Sequence, residues 1–316
     1  MTRASFTRRG AMQLGACAAA AWAWGRTGAA WAKDALPLIT KAVPSSGEKL
    51  PVVGLGTNNY SVTSAEDLAT RREVLRQMPA LGGTLVDTAP AYGRSEEVIG
   101  QLLAELGNRD KFFLATKVTA PDGDVAAGKA MLEESFRRLR TARIELIQVH
   151  NLQGTDTLMP ALLELKAAKR IRYVGVTTSS DAQHAALAAA MRKHPLDFVQ
   201  VNYSIDDRES ASELLPLAQE RGIAVLLNVP FGGRRNSNLF ARVANQTVPT
   251  WAADFDAATW AQFFIKYVVS HPAVTCAIPG TTKLSHLEDN QQGARGRLPN
   301  AAMRKRMEEY WDALPT

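Results

Sequence analysis

Four side chains whose types could together move a proton lie where short apolar runs of the sequence end. Asp87 and Tyr92 follow one such run, Lys117 ends the next, and His150 ends the one after that. A tyrosine exchanges protons poorly at neutral pH, because its pKa is near 10. A neighbouring ammonium is expected to lower that pKa by stabilising the phenolate, and a buried carboxylate would keep the ammonium charged. With a histidine to orient the substrate, this set suits protonation of a carbonyl oxygen as hydride reaches its carbon.

Each of the four residues also has an ordinary structural interpretation. Asp87 could cap a helix and Tyr92 could lie on the rim of the fold. Lys117 could form a surface salt bridge, and His150 could be a hydrogen-bonded core residue. Four such coincidences at the same edge are less expected than one, so the functional interpretation is favoured. In the sequence, no nucleophile–base pair and no group with metal-ligand spacing competes, and no metal site is predicted.

The elements that must position these residues are eight apolar strand candidates that alternate with helical stretches. The predicted strands span residues 50–57, 84–87, 112–118, 144–150, 172–178, 198–204, 224–230 and 275–281. Uniform alternation indicates a parallel sheet of the α/β class, and eight units indicate a closed (β/α)8 TIM barrel in a single domain, residues 33–316. The alternative is an open doubly wound sheet, but no G-x-G-x-x-G follows the first strand. In a barrel the strand ends converge on one face, where catalytic groups belong.

The first 32 residues are typical of an export signal that is removed. Arg8 and Arg9 precede a modestly apolar, alanine-rich stretch, and Ala30-Trp31-Ala32 predicts cleavage before Lys33. The pattern resembles a twin-arginine signal, which sends folded proteins through the Tat export machinery. We therefore expect a periplasmic location with no membrane anchor, since no run approaches the length of a membrane helix.

Charge argues against a nucleic-acid partner. The chain carries 37 Lys and Arg against 31 Asp and Glu, but four arginines lie in the first 32 residues, where no acid occurs. Removing them leaves 33 basic and 31 acidic residues, a net charge of +2. The high overall pI therefore comes largely from the leader, and no basic block remains that would suit nucleic acid.

Several motifs, in order and spacing, resemble those of the aldo-keto reductase family over roughly residues 36 to 312. They are Asp87-Thr88-Ala89-x-x-Tyr92-Gly93-x-Ser95-Glu96, Thr116-Lys117, Leu146-x-x-x-His150, Gly175-Val176, Gln200-Val201-Asn202-Tyr203 and Ala277-Ile278-Pro279-Gly280-Thr281. The resemblance implies an NAD(P)H-dependent oxidoreductase that reduces an aldehyde or ketone, or catalyses the reverse reaction. It implies a tetrad in which Tyr92 is the general acid or base, Lys117 and Asp87 tune it, and His150 orients the carbonyl.

The same resemblance implies a cofactor site, with departures. Gln200 matches the residue that binds the nicotinamide carboxamide, while Thr177-Thr178 stands where the family has Ser-Asn, and Asn228 where it has a stacking aromatic residue. The loop over the pyrophosphate matches Pro230-Phe231-Gly232-Gly233, with Arg234-Arg235 just beyond. At the adenosine end, Gly280 and His286 replace a Lys and an Arg, Lys283 lies between them, and Asn290 matches the adenine contact. The remaining implied cofactor contacts are Thr57, Asp87 and Thr281.

The resemblance implies NADPH as the cofactor, preferred only slightly over NADH because Gly280 and His286 replace the family's Lys and Arg. On the substrate side, Asn58 replaces a tryptophan common in the family, which predicts a more polar pocket beside Tyr92 and His150, suited to a hydroxylated substrate. The partner is a small carbonyl or alcohol. A second hypothesis keeps the scaffold as a nucleotide-bound sensory or binding module with little turnover. The altered residues at Thr177, Thr178 and Asn228 keep it open, and the intact tetrad argues against it.

Overall fold

The computed structural model describes residues 36–232 and 238–315, and the leader predicted over residues 1–32 lies outside these ranges. So do Gly233, Arg234 and Arg235 of the predicted pyrophosphate loop. The described residues from Leu38 onward pack as one unit. Within them, no helix combines the length and the apolarity that a bilayer span needs.

The strands of the described chain form a small hairpin and an eight-stranded parallel sheet. The hairpin pairs β1 (Thr40–Ala42) with β2 (Lys49–Pro51) in antiparallel fashion. The sheet runs in sequence order through β3 (Leu55–Gly56), β4 (Leu85–Asp87), β5 (Phe113–Val118), β6 (Ile144–His150), β7 (Ile171–Thr177), β8 (Phe198–Asn202), β9 (Ala224–Asn228) and β10 (Val274–Ala277).

The two edges of this sheet meet and close a barrel. Parallel bridges join Val53 to Ala277 and Gly56 to Gly280. The Gly56 amide donates to the carbonyl of Pro279 at 3.0 Å. A Cβ at Gly56 would lie 2.8 Å from the Ile278 carbonyl oxygen, so the approach of the closing strands requires glycine there. The predicted (β/α)8 barrel is confirmed.

Helices follow the strands around the outside of the barrel. They are α1 (Ala65–Leu81), α2 (Ser95–Leu106), α3 (Val125–Arg138), α4 (Thr155–Ala167), α5 (His184–Lys193), α6 (Leu214–Arg221), α7 (Leu239–Arg242), α8 (Trp260–Val269), α9 (Leu284–Gln292) and α10 (Ala301–Asp312). Side-chain caps fix several starts: Ser64 accepts from the Asp67 amide, and Thr259 accepts from the Gln262 amide.

The period-two alternation of the strands separates two apolar cores. Outward residues such as Val86 and Ile147 pack beneath the helices, and inward residues such as Leu85 and Phe198 fill the barrel. The inward set is Val43, Leu50, Leu85, Phe113, Ala115, Leu146, Tyr173, Phe198, Ala224, Leu226, Cys276 and Ile278.

The hairpin β1–β2 covers the end of the barrel where the strands begin. Val43 and Leu50 are buried in the interior core. Lys41 Nζ donates to the carbonyls of Val269, His271 and Val274, which ties the hairpin to the end of α8 and the start of β10. The sequence predicted one strand over residues 50–57, but the hairpin strand ends at Pro51 and the barrel strand β3 is Leu55–Gly56, with Val53 between them bridged to Ala277. We call this hairpin-covered end the plugged end.

Candidate active site

The alternation that builds the interior core also places the polar residues. On β4, Leu85 points into the barrel, Val86 points outward and Asp87 points inward again. On β5 the same alternation makes both Phe113 and Lys117 face inward. The polar side chains therefore gather at the end of the barrel where the strands finish, as the sequence predicted, and we call this end the catalytic mouth.

Lys117 is the centre of the tetrad. Its Nζ donates to Asp87 Oδ2 at 2.8 Å, to the Thr88 carbonyl at 2.8 Å and, over a longer 3.4 Å, to the Tyr92 hydroxyl. The side chains of Lys117 and Asp87 are 1% and 3% exposed, so this ion pair is withdrawn from solvent. A buried charge needs such partners, because an unpaired charge in the interior is strongly destabilising.

His150 completes the group from the end of β6. Its ring stands perpendicular to that of Tyr92, with 6.2 Å between ring centroids, and the two rings border one cavity. The next two residues, Asn151 and Leu152, have φ of 51° and 60°, in the left-handed region that such residues enter at a cost. Strained backbone at this point is consistent with a functional site.

Burial and charge set the protonation of the tetrad. Burial raises the pKa of Tyr92, and it outweighs the opposing effect of the Lys117 charge. The predicted lowering by Lys117 is present, but the net direction is upward, so our expectation of a lowered pKa was wrong. Burial acts to lower the pKa of Lys117, but the charges of Asp87 and Tyr92 and their hydrogen bonds raise it overall. Lys117 is therefore an ammonium and Tyr92 a protonated phenol at neutral pH.

Burial and the nearby charge of Lys117 also act on the histidine. Together they lower the pKa of His150 to about 4. An uncharged imidazole at neutral pH donates one hydrogen bond and accepts another. It can orient an oxygen atom without supplying charge.

The tetrad borders a cavity of about 740 Å³ at the catalytic mouth. Thirteen of the predicted site residues line it. They are Thr57, Asn58, Asp87, Tyr92, Lys117, His150, Thr177, Gln200, Asn228, Pro230, Phe231, Gly232 and Gly280. Residues from every part of the barrel sequence thus meet in one space of the size that small-molecule sites have.

Other predicted cofactor residues lie outside the lining of this cavity. The Asn290 amide donates to Thr281 Oγ1 at 3.0 Å, and both side chains are buried. Thr178 Oγ1 is hydrogen-bonded to Gln183. Lys283 and His286 are exposed at the start of α9, where Lys283 occupies the N-cap position. Contact of these residues with a cofactor stays a prediction.

Sequence reasoning missed several polar residues of the site. Asn59, Asn151, Ser179 and Asn202 also line the cavity. Gln148 lies just below it, fully buried on β6. A signal was available, since each lone polar residue in or just after an apolar strand repeats the pattern that identified Asp87 and Lys117.

Three carboxylates come together away from the cavity lining. Oxygen atoms of Asp181, Asp207 and Glu209 lie within 4.8 Å of one another, a grouping that their sequence spacing hides. Exposed acidic groups are common without an ion, so we assign no metal to them.

A profile of the aldo/keto reductase family matches residues 52–309. Aldo-keto reductase YhdN of Bacillus subtilis (strain 168) is 35% identical over 205 residues, which are 59% of this chain and 60% of the relative. The matched region thus spans about three fifths of that relative's length. Methylglyoxal reductase YeaE of Escherichia coli (strain K12) is 31% identical over 258 residues, with 79% of this chain and 88% of the relative covered.

A solved structure of an aldo/keto reductase is also similar to this chain. The crystal structure of an aldo/keto reductase from Klebsiella pneumoniae, in complex with NADP and acetate, superimposes with a TM-score of 0.69 at 25% identity. The match covers 84% of this chain and 93% of the Klebsiella chain.

Proposed function

This chain belongs to the aldo/keto reductase family, and from that membership and the site we propose that it reduces an aldehyde or ketone with NADPH. The observation that carries the proposal is the buried contact series from Asp87 through Lys117 to Tyr92 at the wall of one cavity. The reverse reaction, oxidation of an alcohol, uses the same groups.

The residues of the catalytic mouth fit a nicotinamide cofactor. Asp87 Oδ1 and Asn202 Oδ1 are buried at the cavity and lack a hydrogen-bond partner among the described residues. Such atoms are costly in the interior unless a ligand or water satisfies them. Gln200, Asn228, Phe231, Gly232 and Gly280 are the lining residues proposed to hold the cofactor. When bound, NADPH supplies the hydride that adds to the carbonyl carbon.

Tyr92 supplies the proton that completes the reduction. Its hydroxyl proton passes to the carbonyl oxygen as the C–H bond forms, which leaves an alcohol and a phenolate. Lys117 stabilises that phenolate through the hydrogen bond it already makes to the Tyr92 hydroxyl. Asp87 keeps Lys117 charged, and the uncharged His150 donates a hydrogen bond that orients the carbonyl oxygen beforehand.

We propose NADPH as the preferred cofactor, with NADH as the alternative. Support comes from Lys283, which is exposed beside Gly280 and His286 at the predicted adenosine end. The NADP bound to the Klebsiella neighbour also supports the proposal. Because the family's Lys and Arg positions are Gly280 and His286 here, we expect a modest preference between the two cofactors.

We also propose that the substrate is hydroxylated. Asn58, Asn59 and Asn151 line the cavity that Tyr92 and His150 border. A carboxamide both donates and accepts hydrogen bonds, so neighbouring asparagines suit a carbonyl compound that carries hydroxyl groups. Activity confined to apolar aromatic aldehydes would contradict this assignment.

The test uses residues 33–316, purified without added nucleotide. Absorbance at 340 nm is followed after NADPH or NADH is added with matched aldehydes, ketones and open-chain sugars. We expect oxidation of NADPH, faster with hydroxylated carbonyls than with apolar aldehydes of equal size. Tight nucleotide binding without oxidation across the panel would instead favour the nucleotide-bound module, which the reductase relatives do not favour.

We propose in addition that residues 1–32 direct export of the folded protein to the periplasm. Arg8-Arg9, the alanine-rich stretch and Ala30-Trp31-Ala32 support this. Fractionation of cells that express the full chain should place the protein in the periplasm. An Arg8→Lys, Arg9→Lys variant should accumulate in the cytoplasm, and equal periplasmic yield of both proteins would refute the signal.

A further inference from the structure

Gln148 is a fully buried amide directly below the catalytic mouth. It lies on β6 in register with Lys117 of β5 on one side and Gly175 of β7 on the other. Its Nε2 donates to Gln200 Oε1 at 2.6 Å. Gln148 itself lies outside the lining of the cavity, whereas Gln200 is part of that lining. The hydrogen bond to Gln200 therefore connects the Gln148 side chain to the cavity lining.

Gln200 connects this amide to the tetrad. Its Nε2 donates to Asn228 Oδ1 at 2.5 Å and, over 3.4 Å, to Asp87 Oδ2. The same Asp87 oxygen accepts from Lys117. An ionised carboxylate only accepts hydrogen bonds, so Gln200 must turn its NH2 group toward Asp87. Its Oε1 then faces the opposite way, where the NH2 group of Gln148 is the donor it meets.

Gly175 makes the room that this arrangement needs. A Cβ at Gly175 would lie 3.2 Å from Gln148 Cγ and 2.7 Å from the Phe198 carbonyl oxygen. A side chain there would force Gln148 or the strand β8 to move. The barrel therefore has a glycine, without a side chain, at the position next to the buried Gln148.

We propose that Gln148 is a positioning residue, whose amide fixes the orientation of Gln200 and thereby supports the hydrogen bonding of Asp87. The inference rests on the proposed function for its catalytic meaning, because Gln200 is the residue proposed to hold the nicotinamide carboxamide. The structural part of the inference, that Gln148 holds the Gln200 amide in place, does not depend on turnover. Without the Gln148 donor, the Gln200 amide loses the hydrogen bond at its Oε1 and keeps those that its Nε2 donates to Asn228 and Asp87, so its orientation is less firmly held.

The matched variants are Gln148→Met and Gln291→Met. Gln291 is also fully buried and donates one bond, from Nε2 to the Val53 carbonyl at 3.3 Å, but it lies on α9 outside the cavity lining. Both changes remove a buried amide of the same size. We expect Gln148→Met to weaken NADPH binding about tenfold, as loss of one neutral hydrogen bond would, and Gln291→Met to leave it unchanged. Both should lower the melting temperature.

Gln148→Glu separates positioning from packing. A protonated carboxyl group can still donate to Gln200 Oε1, whereas an ionised one can only accept. The titratable groups of the same layer are Asp87 on β4, Lys117 on β5 and His150 on β6, with Tyr92 in the loop after β4. Because the 2′-phosphate of NADPH itself titrates near pH 6, the measured quantity is the NADPH affinity of Gln148→Glu relative to wild type at each pH. We expect this ratio to be near one at low pH and to fall toward that of Gln148→Met as pH rises.

A cofactor-free readout keeps the test decisive. The side-chain NH2 resonances of Gln200, recorded by NMR without nucleotide, should shift and exchange faster in Gln148→Met, and stay as in wild type in Gln291→Met. Unchanged Gln200 resonances together with NADPH affinity within twofold of wild type would overturn the inference. If wild-type protein does not bind or oxidise NADPH, the proposed function fails, and the NMR comparison still decides the role of Gln148.

Discussion

The two ends of the barrel interior are built from the same strands but from opposite kinds of residue. On β5 the inward side chain changes from Phe113 at the plugged end to Lys117 at the catalytic mouth, and on β8 it changes from Phe198 to Gln200. One end holds stacked rings, with Phe113 and Tyr173 5.8 Å apart between centroids. The other holds a buried ion pair and polar atoms that lack partners among the described residues.

This contrast indicates how the chain separates stability from chemistry. The plugged end buries apolar area, which stabilises the fold without constraining the loops at the other end. The catalytic mouth carries costs that the fold tolerates: a desolvated charge pair, unpartnered buried atoms and the left-handed backbone at Asn151, Leu152 and Val229. Substitutions at the two ends should therefore have different signatures.

The largest effect is expected at Lys117. Lys117→Met removes the charge that stabilises the Tyr92 phenolate, so kcat/KM should fall by roughly a thousandfold. Burial already raises the pKa of Asp87 against the opposing effect of Lys117, and the substitution removes that opposing charge, so the pKa rises further above that of the unfolded chain. The folded protein keeps a proton that the unfolded chain releases, so the free energy of unfolding should decrease as pH rises above about 4.

Steady-state kinetics and urea unfolding at several pH values measure both parts of this prediction. Lys111→Met, at an exposed lysine near the start of β5, is the control. A Lys117→Met protein whose free energy of unfolding increases with pH would show that Asp87 is not the group whose titration the substitution changes.

The opposite signature is expected at the plugged end. Leu50 of β2 is 2% exposed and packs in the interior core. Leu50→Ala should lower the free energy of unfolding by about 2 to 5 kcal/mol, because it leaves a cavity. Its kcat/KM, measured well below the melting temperature, should stay within about twofold of wild type, as should that of the exposed control Lys49→Ala. A large loss of activity in folded Leu50→Ala would mean that the two ends are coupled.

Gly175 lies between the two ends and sharpens the comparison. Gly175→Ala places a methyl group against the Phe198 backbone below and Gln148 beside it. We expect a loss of about 1 to 3 kcal/mol in stability from overpacking, together with weaker NADPH binding. Calorimetry and fluorescence titration measure the two quantities. A change in stability without a change in NADPH binding would show that Gly175 contributes to the packing of the plugged end and has no effect on the catalytic mouth.

The smallest effect is expected in the pH dependence of kcat/KM, which should show no titration near neutral pH. Burial and the charge of Lys117 lower the pKa of His150 to about 4, and burial raises that of Tyr92. The kcat/KM for reduction should therefore stay level between about pH 6 and 9, since His150 is uncharged and Tyr92 protonated throughout. An inflection near pH 6.5 that disappears in His150→Gln would contradict the assigned charge state.

Much of this contrast could be predicted from the sequence, because it depends on alternation. The apolar runs that end in Asp87, Lys117 and His150 identified the strands, the barrel and the tetrad. The hairpin was missed because we assigned residues 50–57 to one strand, although Pro51 and Gly54 interrupt that apolar run. The direction of the Tyr92 pKa was wrong because it depends on how deeply the hydroxyl is buried, which no spacing reveals.

Gln148 and the lining asparagines were missed for a different reason. The position of a lone amide in an apolar strand marks it as a candidate, but the amide carries no charge, so its role appears only when its partner is known. Gln200 provides that partner from a strand 52 residues later.

The most direct test of the account is the single-turnover rate of Tyr92→Phe with bound NADPH and an accepted aldehyde. The change removes the transferable proton and leaves the ring, the ion pair of Lys117 with Asp87 and the cavity in place. We predict NADPH binding within about threefold of wild type, and loss of absorbance at 340 nm slowed by roughly a thousandfold. Decay at the wild-type rate in this variant would show that Tyr92 is not the proton donor.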